Sequence, residues 1–139
     1  MQNQSLISSL ERRVQFYECD PLQIVWHGNY LKYFEEGRED FCRKQGLSYL
    51  DAQANGVSTP IVKSVCEHKL PLKYGDVFNL ETCFNPHNAA KMHFTYKLYL
   101  QNKLVCTGET VQVFLGENRE LLLTNPPFFL DWKKKMEID

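Results

Sequence analysis

Near residue 56 the spacing of apolar side chains changes once, from the period of a helix to the period of strands. Upstream, Tyr30, Phe34, Gly37 and Phe41, joined by Tyr33, share one stripe of a helix that starts at 27–29 and runs to about Gln45. Gly46 supplies its C-cap, and Lys32, Glu36, Glu39 and Arg43 take the face suited to water. Gly37 in mid-helix costs about 1 kcal/mol against Ala, which close approach to a sheet would justify. A second, short helix over 48–54 precedes Gly56. Downstream the residues alternate: 60–68, 76–84, 91–100 and 104–115 read as strands. In the clearest of them Met92, Phe94, Tyr96, Leu98 and Leu100 face one way, with His93, Thr95 and Lys97 opposite. Turns at 101–103 and 116–119 follow, the second leading to a short strand over 120–124, and Pro126-Pro127 opens a closing helix through Lys135. Before the long helix, Val14 and Phe16 alternate with Arg13, Gln15 and Tyr17, which predicts a first strand over 12–18.

A strand, a long helix and then four or five consecutive antiparallel strands make an α+β chain, one antiparallel sheet curled around one long central helix. The 139 residues predict a single domain over 1–139, with no repeat, low-complexity tract or linker to divide it. Such a sheet covers only one face with its own helix, and self-association is the usual remedy for the rest.

Several function classes drop out. Sixteen Lys and Arg against 17 Asp and Glu leave a charge of −1, which excludes a nucleic-acid binder working by bulk charge and offers no support for an electrostatic membrane anchor. The longest apolar runs are three or four residues, so no transmembrane segment or stable membrane insertion is expected. Residues 1–9 are polar and lack the apolar stretch of a signal peptide, so a cytoplasmic chain is expected and the Asn3-Gln4-Ser5 glycosylation pattern carries no meaning. Five dispersed cysteines, at 19, 42, 66, 83 and 106, are expected to be reduced thiols. Without CxxC or HExxH no metal site is expected, and without GxGxxG, GxxxxGK[ST] or GxSxG neither those nucleotide loops nor a serine nucleophile elbow is expected.

The segment from Val14 to Tyr30 is chemically dense. It places Asp20 in the turn leaving a strand, and His27 and Gly28 where the long helix begins. Unpaired N–H groups at a helix start carry partial positive charge and hold a developing oxyanion. A carboxylate beside them attacks a carbonyl or activates water. These are the parts for hydrolysing an activated ester, although an Asp before Pro is also a common turn former.

The segment resembles the hot-dog-fold thioesterases of the 4-hydroxybenzoyl-CoA thioesterase type and their relatives acting on short-chain acyl-CoA. Cys19-Asp20-Pro21, Ile24-Val25-Trp26 and Asn29-Tyr30 look most like the hydroxybenzoyl enzyme, and His27 looks like the acyl-CoA branch. Thr59-Pro60-Ile61-Val62, Tyr74-Gly75-Asp76 and Glu81-Thr82-Cys83 also fit, so the resemblance spans about residues 11–125. It implies a hot-dog fold and hydrolysis of an acyl-CoA thioester to the free acid and CoA, with no metal or other cofactor. Asp20 would be nucleophile or general base, and the backbone N–H of His27 would polarise the carbonyl, with the imidazole orienting Asp20 or substrate. Trp26, Glu35, Thr59 and Ile61 would meet the acyl group, and Lys91, backed by Lys63, Lys69 and Lys73, the CoA phosphates. The resemblance also implies sites built between paired subunits, as a dimer or a dimer of dimers. A thioesterase acting on acyl carrier protein and a non-catalytic acyl-CoA-binding module are the alternatives. Two positions depart from the family pattern: Gln23 stands where Gly is usual, and Phe16 where some members have Tyr.

Overall fold

The structure, a computed structural model, describes residues 6–138; the Asn3–Ser5 pattern lies outside them. Strand β1 (Leu6–Arg13) leads to the helices α1 (Asn29–Gln45) and α2 (Tyr49–Ala54). The strands β2 (Ile61–His68), β3 (Val77–Asn85), β4 (Lys91–Leu100) and β5 (Lys103–Val113) follow, and helix α3 (Pro127–Lys135) closes the chain. One five-stranded antiparallel sheet has the order β1-β3-β4-β5-β2. Period-two alternation therefore located four strands to within about two residues.

Three expectations are corrected. The first strand is not 12–18 but Leu6–Arg13, hidden in the sequence because its inward positions alternate Leu6, Ser8, Leu10 and Arg12. After it Val14 is buried, and Phe16–Glu18 form one tight 3-10 turn. That turn reverses the expected burial: Phe16 and Tyr17 are exposed while Glu18 is 5% exposed. The second correction is the strand order, since only β3-β4-β5 run as a meander. The connection 69–76 contains Pro71 and is too long for a hairpin; Lys69 and Leu70 donate to the carbonyl of Val105, and buried Leu72 accepts from Val25 at 2.8 Å. Strand β2 is thereby held at the far edge, beside β5. The strand expected over 120–124 is reduced to a single bridge between Leu115 and Leu121.

Helix α1 lies in the concave face. Its expected stripe of Tyr30, Tyr33, Phe34, Gly37 and Phe41 is buried, and Gly46 ends it at φ +75°. Two glycines seat it. A Cβ on Gly37 would overlap Thr82 and Leu80 of β3, and one on Gly108 of β5 would overlap the ring of Phe34. Phe34 in turn stacks on Tyr96, with centroids 4.5 Å apart. Phe41 packs against Phe84 and Phe94, each such ring contributing about 1.5–3 kcal/mol on burial. Helix α3 closes this end: Phe129 and Trp132 cover Phe84, and Trp132 Nε1–H donates to the Gln45 carbonyl at 2.7 Å, satisfying a C-terminal carbonyl of α1. Among the described residues no helix is long and apolar enough to cross a membrane.

Candidate active site

Residues 15–29 are held by one buried carboxylate. Glu18 accepts from Arg12 through both oxygens (2.7 and 2.8 Å), from Tyr33 Oη (2.9 Å) and from the Gln15 amide (2.8 Å). Its own carbonyl accepts from Trp26 N–H and from the buried Asn29 side chain at 2.7 Å. Burial pushes the Glu18 carboxyl up, but Arg12, Gln15 and Tyr33 together outweigh it and hold it below the usual carboxylate range. Arg12 is raised, chiefly by the same pairing, and also binds Glu36 at 3.0 Å. Glu36, expected on the water face, is thus half-buried. Glu18 fastens both ends of the loop that presents Asp20 to the start of α1.

Within that loop Asp20 Oδ1 accepts from Leu22 N–H at 2.9 Å, while Asp20 N–H donates to Ile24 and Gln23 N–H returns to the Asp20 carbonyl. Asp20 is therefore a turn former, with its second oxygen outside that hydrogen bond. Gln23 sits at φ +67°, so the loop keeps the left-handed conformation natural to glycine at a cost of about 1 kcal/mol. Among the described residues the His27 and Gly28 N–H groups, just ahead of α1, make no hydrogen bond, while those of Asn29 and Tyr30 donate to the Trp26 and His27 carbonyls.

Asp20 and His27 line one groove of about 300 Å³ with Leu22, Tyr30, His68 and Lys69. His68 is exposed, and its ring meets that of Tyr30 at 4.9 Å and faces His27 at 6.5 Å. The β2 alternation Ser64, Cys66, His68 placed it on the concave side, which was the available signal. Trp26 is half-exposed and packs on His27 at 5.2 Å.

The other candidates lie elsewhere. Glu35, Thr59 and Ile61 line a second cavity of about 820 Å³ between α1, α2 and the ends of β2, β4 and β5, with Arg38, Met92 and Gln112. Ile61 is 40% exposed, so it is cavity wall rather than core. Gln112, not singled out by sequence, donates through Nε2 to the Thr59 carbonyl at 2.7 Å. Lys91 is half-buried at the start of β4 and lines neither cavity. Lys63 pairs with Glu109, which also binds His93. A single chain thus brings Asp20 and His27 together, and Glu35, Thr59 and Ile61 together, but not the two groups.

Comparison with known proteins places this geometry. A family model of the thioesterase-like superfamily matches residues 14–133. The chain is 33% identical over 93 residues to a candidate acyl-CoA thioesterase of Bacillus subtilis, YneP, with 67% of each chain covered. It is 31% identical over 78 residues to the 4-hydroxybenzoyl-CoA thioesterase of a Pseudomonas species, covering 54% of this chain and 55% of that one. A solved structure of an Aquifex aeolicus protein of unassigned function superposes with a TM-score of 0.82 at 30% identity, covering 90% of this chain and 98% of that one. A helix cradled in one curled antiparallel sheet is the hot-dog fold, and with it the chain belongs to the thioesterase-like superfamily.

Proposed function

We propose that this chain is a cytoplasmic, single-domain enzyme that hydrolyses an acyl-CoA thioester to the free acid and CoA. One observation carries the reading: Asp20 and His27, whose backbone N–H makes no hydrogen bond among the described residues, line the same groove. The thioester carbonyl lies at the His27 N–H, where partial positive charge stabilises the oxyanion. Asp20 either attacks the carbonyl carbon, releasing CoA thiolate and leaving an anhydride for water to open, or removes a proton from water as it attacks. His27 and His68 flank that position. Trp26, packed on His27, meets the acyl group together with Glu35, Thr59 and Ile61, and Lys91 meets CoA phosphate. Water is the co-substrate, and the chemistry calls for no metal or other cofactor.

Because the groove and the larger cavity are separate in one chain, the complete site forms between paired copies. The pairing edge is β2, whose residues are almost all exposed and include Ile61, Val62 and Val65. The names of the Bacillus and Pseudomonas relatives support acyl-CoA as the substrate class. Asp20→Asn is the test. Asn retains the Oδ1 acceptor for Leu22 but can neither attack nor take a proton. The variant is expected to keep its melting temperature and lose at least about 10²-fold in kcat, with substrate affinity largely kept. Wild-type turnover by the folded variant refutes the assignment.

A further inference from the structure

We infer that Gln112 is a specificity-determining residue that accepts a hydrogen bond from a hydroxyl carried by the acyl part of the substrate. The inference rests on the reading of the larger cavity as the acyl pocket. Gln112 lies on the concave face of β5, opposite Met92 of β4 and in register with Ile61 of β2, and it is 7% exposed. Its amide is oriented by its neighbours. Nε2 donates to the Thr59 carbonyl at 2.7 Å and to Thr59 Oγ1 at 3.2 Å, and the flipped amide would set two acceptors face to face. Oε1 therefore points away from Thr59, and it is buried without a donor among the described residues.

A buried acceptor left unmatched is unfavourable, and buried polar groups in native proteins are almost always paired. Gln112 shares the cavity wall with Met92 and Ile61, where an apolar side chain would fill the same space without that penalty. The rest of the wall sharpens the chemistry. Glu35 and Glu39 add carboxylates to the wall and Arg38 and Arg43 add guanidiniums, Arg38 giving Nη1 to Tyr96 Oη at 3.2 Å and Arg43 meeting Glu39 at 3.9 Å. Gln112 Oε1 is thus the buried acceptor of this wall left without a donor among the described residues, which matches a ligand that brings one. A hydroxyl on the acyl group supplies one and stays neutral in a partly apolar pocket. A plain alkyl or aryl acyl group leaves Oε1 as unpaired as it is in the free protein.

The experiment compares thioesters matched in shape but differing in OH against CH3: 4-hydroxybenzoyl-CoA with 4-methylbenzoyl-CoA, and 6-hydroxyhexanoyl-CoA with heptanoyl-CoA. Wild type is expected to favour the hydroxyl member of at least one pair by about 10- to 100-fold in kcat/KM. Gln112→Met should collapse that ratio to about threefold or less, mainly by slowing the hydroxyl member. Should Gln112→Met fail to fold, Gln112→Asn, which withdraws the same amide by one methylene, must lower the ratio instead. Equal rates within both pairs in wild type overturn the inference while leaving the thioesterase reading intact, as does a preference that survives substitution of Gln112. Turnover of none of the four thioesters overturns both.

Discussion

Replacing Glu18 by Gln removes a charge without removing volume, so its effect isolates the ion pair that fastens the loop. In the native chain Arg12 faces Glu18 through two bonds of 2.7 and 2.8 Å, and the two side chains are 18% and 6% exposed. Removing one partner of a buried pair costs about 3–5 kcal/mol because the other charge stays behind. Here Glu36 remains beside Arg12, but it is 40% exposed and compensates only in part, so about 2–4 kcal/mol is expected. For a chain of this length that is a fall in Tm of about 6–12 °C. The pH dependence fixes the sign. Glu18 is held below the ordinary carboxylate range, so its contribution is complete above the unfolded-chain pKa of about 4.3 and is lost as the pH falls through the lower folded value. The gap between wild type and Glu18→Gln should therefore be widest near pH 7 and close in the acid range. Replacing Arg12 and Glu18 together by Met should recover most of the loss, since no charge is then stranded. Denaturant titrations at several pH values check all three. A variant within 2 °C of wild type at neutral pH, or a gap unchanged down to pH 3, refutes the role given to this pair.

Gln23→Gly relieves the left-handed strain of about 1 kcal/mol at φ +67° but loosens the unfolded chain by about 0.4–1 kcal/mol, so thermal unfolding should show a net gain of no more than about 0.6 kcal/mol. His27→Ala retains the backbone N–H; if the imidazole takes part, steady-state kinetics will show a loss toward 10²–10⁴-fold, and unchanged kinetics remove the side chain from the mechanism. Light scattering at micromolar concentration should show a dimer or a dimer of dimers, and a stable monomer counts against a site shared between copies.

The long helix and four of the five strands were legible because each follows a single period over many residues. Helix α1 is found at 29–45 with Gly46 as its cap, and Gly37 lies against the sheet as its place in the stripe required. What escaped was structure in which polar groups stand at inward positions. Strand β1 carries Ser8 and Arg12 where hydrophobes were sought, and Arg12 is tolerated there only because Glu18, six residues later, folds back onto it. No periodicity encodes that pairing. At the site, Asp20 and His27 were legible as a short-range motif, whereas His68 and Gln112 reach their grooves through strand pairing. The β2–β5 register, and not local sequence, puts Ile61 opposite Gln112.

The glycine seats of α1 act like keys in a keyed shaft. With Gly37 notched over Thr82 and Leu80, and Gly108 admitting the ring of Phe34, the helix can neither slide along its axis nor roll without driving side chains into backbone. Gly37 lies eight residues from Asn29, the first residue of α1, about 12 Å down the helix. The axial position of the amides at the start of α1 is thus set by contacts far from them. Sequence drift at these seats would change catalysis as a misaligned bearing changes a machine, with every working part intact and displaced by a fraction of an ångström. In a hot-dog chain that acquires new acyl specificity, the wall of the larger cavity, proposed as the acyl site, is free to vary at Glu35, Ile61 and Gln112, while the two keyways are the positions where variation is least tolerated.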